Sequence, residues 1–214
     1  MSEAGDGGSE CAEGDLGEAL AALKREGCAF LVTGEAPPAT HAAAAEQFLG
    51  TGNRGVVLLS DDAHRPGPTA GDGPAVVRYE TEVRSGVAAA GAGGEAPTAA
   101  ADLHELGVAV LEEIETYEAT NPERSPGGFR LVLLSAAPIL ADHDDEQVFS
   151  WLHLLLGRVR KASGMAFVHL PVGHGDPPVP TLRPLFDGRV EVRPDAGGQY
   201  RWLLDDHTSD WMDI

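Results

Sequence analysis

From Gly34 to His41 the chain spaces its residues as a phosphate-binding loop does, with other residue types where phosphate and metal would be touched. A short apolar run at 29–32 leads into Gly34, and an alanine-rich helical stretch comes after it at 42–49. That strand–loop–helix context is the one a G-x-x-x-x-G-K-[ST] sequence requires. Counting from Gly34, the second glycine position holds Ala39, the lysine position Thr40 and the hydroxyl position His41. A lysine there would reach the terminal phosphates of a nucleotide, and a hydroxyl would sit on magnesium. Neither group is present. Amides at a helix start attract an anion without any lysine. Pro37 and Pro38, however, carry no amide proton, so two donors of the cradle are missing. The loop is therefore expected to be a plain strand-to-helix connection, in which His41 is the histidine to test for a role in a site.

Other residues invite chemistry more weakly. Asp61 and Asp62 come directly after an apolar run at 55–60. Acids at the C-terminal end of a parallel strand lie where ligands bind in open α/β sheets. They serve equally as turn residues on an acidic surface, and both readings stand. The run Asp142, His143, Asp144, Asp145, Glu146 suggests a metal, but it lacks the glycine and spacing of a calcium loop. Consecutive acids also suit the start of a helix, so the run is read as structural and no metal ligand set is expected. His153 shares a helical stripe with Phe149, and His169 lies in an apolar strand, so both are expected to be core or boundary histidines. Trp211 and Met212 stand among acids with no obvious partner. Tryptophan is enriched at binding hot spots, so this is either a docking motif or a segment packed back on its own domain.

Composition narrows the classes. The 214 residues fit one large domain, and a hydrophobic content of 43% is enough for a buried core. There are 34 acids against 15 bases, a net charge of −19, and only Lys24 and Lys161 are lysines. Such a balance argues against a nucleic-acid partner, whose phosphates need clustered cations. It is read as adaptation to molar salt, where repulsion is screened within a few ångströms. Cys11 and Cys28 form neither a metal pattern nor a disulfide framework, and Cys28 opens an apolar strand as a buried, inert thiol. Residues 1–14 lack the apolar core of a leader, and no apolar run is long enough for a bilayer, so a soluble cytoplasmic protein without membrane contact is expected.

Along the chain, residues 1–14 are expected to be a disordered acidic tail, 15–204 the folded domain, and 205–214 an acidic C-terminal tail. Asp15 caps an amphipathic helix ending at Gly27. Continuous apolar runs at 55–60, 130–135 and 165–170 suit strands buried on both faces of a parallel sheet. A shorter strand is expected at 75–79, a loop at 64–74 and a mobile Gly/Ala-rich stretch at 84–98. Helices are expected at 102–118 and 144–162, the latter acidic at its start and basic at its end, as the helix dipole favours. Residues 188–193 and 200–204 form a terminal β-hairpin. Strands alternating with helices specify layers around a mainly parallel sheet.

The order of these segments resembles RecA/KaiC-type ATPases. Residues 30–49 resemble their first strand, loop and helix. The run Asp102-Leu103-His104-Glu105-Leu106-Gly107 is similar to the helix before their metal-binding strand, and 130–140 to that strand and the segment after it. Residues 147–160 resemble the next helix. Phe186-Asp187-Gly188-Arg189-Val190-Glu191 with Tyr200-Arg201-Trp202 resembles the closing hairpin. The similarity spans residues 15–204 and is greatest to KaiC-like proteins of halophilic archaea, which suits the acidic composition. It implies an α/β, three-layer RecA-like fold with a mainly parallel central sheet flanked by helices and a C-terminal β-hairpin.

The resemblance also implies a nucleotide and magnesium site, at which this chain departs. In the family the metal-binding strand ends in an aspartate; here Leu134 takes that place, with Ser135 next, whose neutral hydroxyl does not replace a carboxylate facing a divalent cation. The family's catalytic acids are paired glutamates after the second strand, where this chain has the shorter Asp61 and Asp62. The expectation is a catalytically inactive RecA/KaiC-like protein that holds no cofactor or nucleotide and acts as a regulator or scaffold through a protein partner or self-association. The alternative is a nucleotide-binding ATPase or sensor that uses the divergent loop with Asp61 and Asp62.

Overall fold

The structure, a computed structural model, describes residues 8–50, 54–59, 74–79, 98–123, 125–204 and 207–214. Its helices are α1 (Gly8–Glu26), α2 (Pro38–Leu49), α3 (Leu103–Thr120), α4 (Ala137–Asp142), α5 (Asp145–Lys161) and α6 (Val179–Leu182). Its strands are β1 (Cys28–Thr33), β2 (Arg54–Leu59), β3 (Ala75–Tyr79), β4 (Thr98–Ala100), β5 (Phe129–Leu133), β6 (Met165–Leu170), β7 (Gly188–Arg193), β8 (Gln199–Leu203) and β9 (Met212–Asp213). They form one sheet in the order β4-β3-β2-β5-β6-β1-β7-β8-β9. Pairing is parallel from β4 through β7 and antiparallel from β7 to β9. This is the expected α/β fold with its C-terminal hairpin.

Helices lie on both faces, so each face has its own apolar cluster. One joins α3 and α5 to the sheet through Leu106, Val110, Ile114, Leu152, Leu156 and Val159. The other joins α2 through Ala44, Ala45 and Phe48, with Leu20 and Leu23 of α1 at its margin. Phe48 stacks on Phe167 at 4.6 Å, and Trp202 meets Phe30 edge-on at 4.9 Å, so aromatics fill the space beneath α2. The local signals agree with this layering. Asp102 caps α3 by accepting the Glu105 amide at 2.8 Å. Helix α5 begins with Asp145 and Glu146 and ends with Arg158, Arg160 and Lys161, matching its dipole. None of the described helices is long and apolar enough to cross a membrane.

Several expectations are corrected. Helix α1 begins at Gly8, ahead of the Asp15 cap, because Glu10, Ala12 and Glu13 are good helix formers that carry it back through Gly14. The 205–214 tail is no bare appendage: β9 adds to the sheet, pairing Asp213 with Gln199 and Met212 with Tyr200. Strand β4 and the short helix α4 add to the expected elements, being too brief for periodicity to mark. The loop at 64–73 and most of the stretch at 84–98 lie outside the described residues.

Candidate functional site

The loop after β1 is shaped by a contact that only glycine allows. Gly34 has φ +143°, and a Cβ built on it would lie 1.9 Å from the Val192 carbonyl oxygen at the end of β7. Its amide donates to the Val172 carbonyl at 2.9 Å. Helix α2 starts at Pro38, and the amides of Thr40 and His41 both donate to the Pro37 carbonyl, at 2.9 and 3.3 Å. Three loop amides are thus engaged internally, and Pro37 and Pro38 have none to offer. Ala39 is exposed and Thr40 half-buried, and neither supplies a charge.

His41 turns inward instead. It is 1% exposed, and its Nε2 lies 3.0 Å from the Gly34 carbonyl, so the imidazole spans the loop from its last residue to its first. Its Nδ1 lies 3.2 Å from Nδ1 of His169, which is fully buried on β6. A carbonyl only accepts, so Nε2 of His41 carries a proton. In the neutral pair Nδ1 of His41 then accepts from Nδ1–H of His169. The two rings meet edge-on with centroids 5.4 Å apart. His169 enters this site because β6 lies between β1 and β5 and its Cα is in register with Val32. Sequence reasoning missed the pair. The available signal was a histidine inside the apolar run Met165–Leu170, which needs a polar partner once buried.

Among the described residues, the other sequence candidates contribute no charged group beside this loop. Leu134, just past β5, is 5% exposed and packs in the same cluster as Val32 and Phe167. Ser135 is buried, and its Oγ accepts the Ala137 amide at 3.3 Å at the start of α4. Asp61 and Asp62 lie outside the described residues. His153 is exposed on α5 and not part of the core, a correction to its stripe assignment. Of the run 142–146, Asp142 ends α4, and Asp144, Asp145 and Glu146 start α5, where Asp144 is the N-cap and its amide donates to Gln147 at 3.3 Å. Asp142 also accepts the Tyr79 hydroxyl at 3.2 Å, tying α4 to β3. Among the described residues no group of three His, Cys, Asp or Glu is placed to hold a metal. Cys28 is fully buried at the opposite end of β1; burial first and the Asp187 charge second push its thiol up to about 12.

Trp211 packs back on its own domain. Two guanidiniums lie over its ring, Arg193 at 3.9 Å and Arg201 at 4.5 Å from the ring centroid. Gln199 donates to Asp213 at 2.8 Å, and the Ile214 amide reaches the Gly198 carbonyl at 3.1 Å.

Residues 27–192 match the model of a family of unknown function, DUF7504. No curated protein matches the chain. Among solved structures, the chain is similar to a KaiC-like protein from the hyperthermophilic archaeon Pyrococcus horikoshii. The TM-score is 0.52 and the identity 10%, over 86% of this chain and 83% of that one. At that identity the likeness establishes the fold, which is KaiC-like and of the RecA type.

Proposed function

The chain belongs to the family of unknown function DUF7504, and we propose that it is a catalytically inactive RecA/KaiC-like protein acting as a regulator or scaffold through contacts with other proteins. The observation that carries this reading is the closure of the 34–41 loop by the His41 imidazole, hydrogen-bonded to Gly34 and His169. In a working phosphate-binding loop those positions present amides, a lysine and a metal-bound hydroxyl to the nucleotide. Here the hydroxyl position holds a buried ring, the lysine position holds Thr40, and the position of the magnesium acid holds the buried Leu134. Each missing charge-assisted contact to phosphate is worth about 1.5–3 kcal/mol, so the losses together remove micromolar affinity.

Calorimetric titration with ATP and magnesium in concentrated potassium chloride tests this. The expected outcome is no binding at micromolar ATP and no phosphate release. A magnesium-dependent dissociation constant below the millimolar range would overturn it and favour a nucleotide sensor using Asp61 and Asp62.

A further inference from the structure

Among the described residues, the large apolar side chains that stand exposed are Val108, Leu111 and Leu154, and all three fall on the helix pair α3 and α5. Leu154 is 73% exposed, on a chain that carries 34 acids and could place a charge there without loss of packing. Single apolar residues scattered over a surface mean little, whereas a group of them rimmed by polar residues marks a contact site.

Geometry makes these three a group. Helices α3 and α5 run parallel: Gly107 meets Trp151 toward one end of their seam, and Glu118 pairs with Arg158 at 2.6 Å toward the other. A Cβ on Gly107 would lie 3.3 Å from Nε1 of Trp151, so the two helices approach closely there. Leu111 comes one turn after Gly107, and Leu154 lies between Trp151 and Arg158 at helical spacing. Both lean over the outer side of the seam, and Val108, one turn before Leu111, extends the strip across α3. Gly157, a turn after Leu154, leaves open space where its own Cβ would be. The result is a shallow apolar groove with the half-buried Trp151 at one end and an ion pair at the other.

Its two walls differ in charge. Helix α3 contains five glutamates and neither lysine nor arginine. Of these, Glu112 and Glu115 are exposed one turn beyond Val108 and Leu111. On α5, residues 147–157 include no Asp, Glu, Lys or Arg. Arg158 answers α3 from the end of the groove, bound to Glu118 and attracted by Glu115. One wall is thus acidic and the other uncharged.

We propose that this groove docks an amphipathic helix of a partner protein, with its apolar face over Leu111 and Leu154 and its lysines or arginines along α3. A helix laid in a groove offers anchors at the same three- and four-residue spacing that the groove shows. A second copy of the chain fits worse, because a two-fold contact through this strip would bring two acidic walls into one interface. The same wall repels nucleic acid and anionic lipid. In concentrated salt only charges in contact still attract, while apolar burial persists, so the leucines carry affinity and the glutamates set orientation. The inference rests on the reading that the chain works through protein contacts, and its test is separate from the nucleotide titration.

The test is fluorescence anisotropy of a labelled amphipathic Leu/Lys peptide of about 18 residues, long enough to form a helix, in potassium chloride that keeps the native circular dichroism. The full chain should bind it. Leu154→Gln, at an exposed position that leaves the fold intact, should weaken binding about tenfold. Glu112→Gln with Glu115→Gln should weaken it about threefold. Glu18→Gln with Glu46→Gln, which removes the same charge from α1 and α2, should leave it unchanged. Equal losses in the two charge pairs would reduce the effect to bulk charge and overturn the proposal. Undiminished binding by Leu154→Gln, or equal binding of a Leu/Glu peptide, would overturn it as well. Sedimentation showing a dimer that Leu154→Gln dissolves would make a second copy the occupant and overturn the partner. A peptide that does not bind, on a chain that also ignores ATP, would sink this face and leave the non-catalytic reading standing.

Discussion

The loop after β1 and the strand at the end of the chain differ in what closes them. The loop is shut by buried groups: a glycine against a backbone carbonyl, and one imidazole hydrogen-bonded to another. The terminal strand is held by charge and polarisability at a half-buried surface, with Trp211 against Arg193 and Arg201. The two regions meet at Gly198, where a Cβ would lie 3.0 Å from Cγ2 of Thr40 and 3.2 Å from Cδ1 of Ile214. A buried polar pair costs its whole desolvation when half is removed, whereas a half-buried stack loses mainly its own attraction. Damage to the loop should therefore be felt by the whole fold, and damage to the terminal strand only locally.

The largest effect is expected at Gly34. Gly34→Ala drives a Cβ into the Val192 carbonyl at a backbone angle that L residues avoid, which should cost about 4 kcal/mol or more. Chemical denaturation checks it; an unchanged midpoint would mean that the loop and β7 are not locked together.

Next is the other end of the same strand. The Cys28 thiol stands at about 12 in the native state, above its ordinary value of 9.0. The native pKa is the higher one, so its stabilising share is complete below about pH 9 and is lost as pH rises toward about 12. By about pH 11 the loss should reach about 3 kcal/mol, and Cys28→Ala should flatten that alkaline limb. Denaturant midpoints measured against pH, for both proteins, decide it. Parallel curves would remove Cys28 from the account.

The histidine pair sharpens the comparison directly. His41→Ala should cost about 2–3 kcal/mol, since it strands His169 and the Gly34 carbonyl in the interior. A double-mutant cycle with His169→Ala should show coupling of about 1 kcal/mol; additivity within about 0.3 kcal/mol would mean that the rings act independently.

Trp211→Ala should have the smallest effect, about 1–2 kcal/mol from two cation–π contacts and some lost packing. Hydrogen exchange should rise at β9 while β1 and α2 stay protected. If protection were lost across the sheet instead, the two regions would be one cooperative unit.

Local rules made much of this molecule legible. Apolar runs marked β5 and β6 as strands buried on both faces, and acid-to-base polarity marked α5. The missing lysine and hydroxyl in the 34–41 loop needed only counting. Each of these signals repeats within a few residues, at the period of a helix or strand. What decided the state of the loop does not. His41 and His169 are 128 residues apart and meet because β6 inserts between β1 and β5. Gly34 is fixed by the end of β7, and Trp211 by arginines on two strands that only the hairpin brings side by side. A histidine or tryptophan suits solvent, a core or a ligand equally well by type. Its partners settle which, and they are set by strand order and register, which no local period encodes.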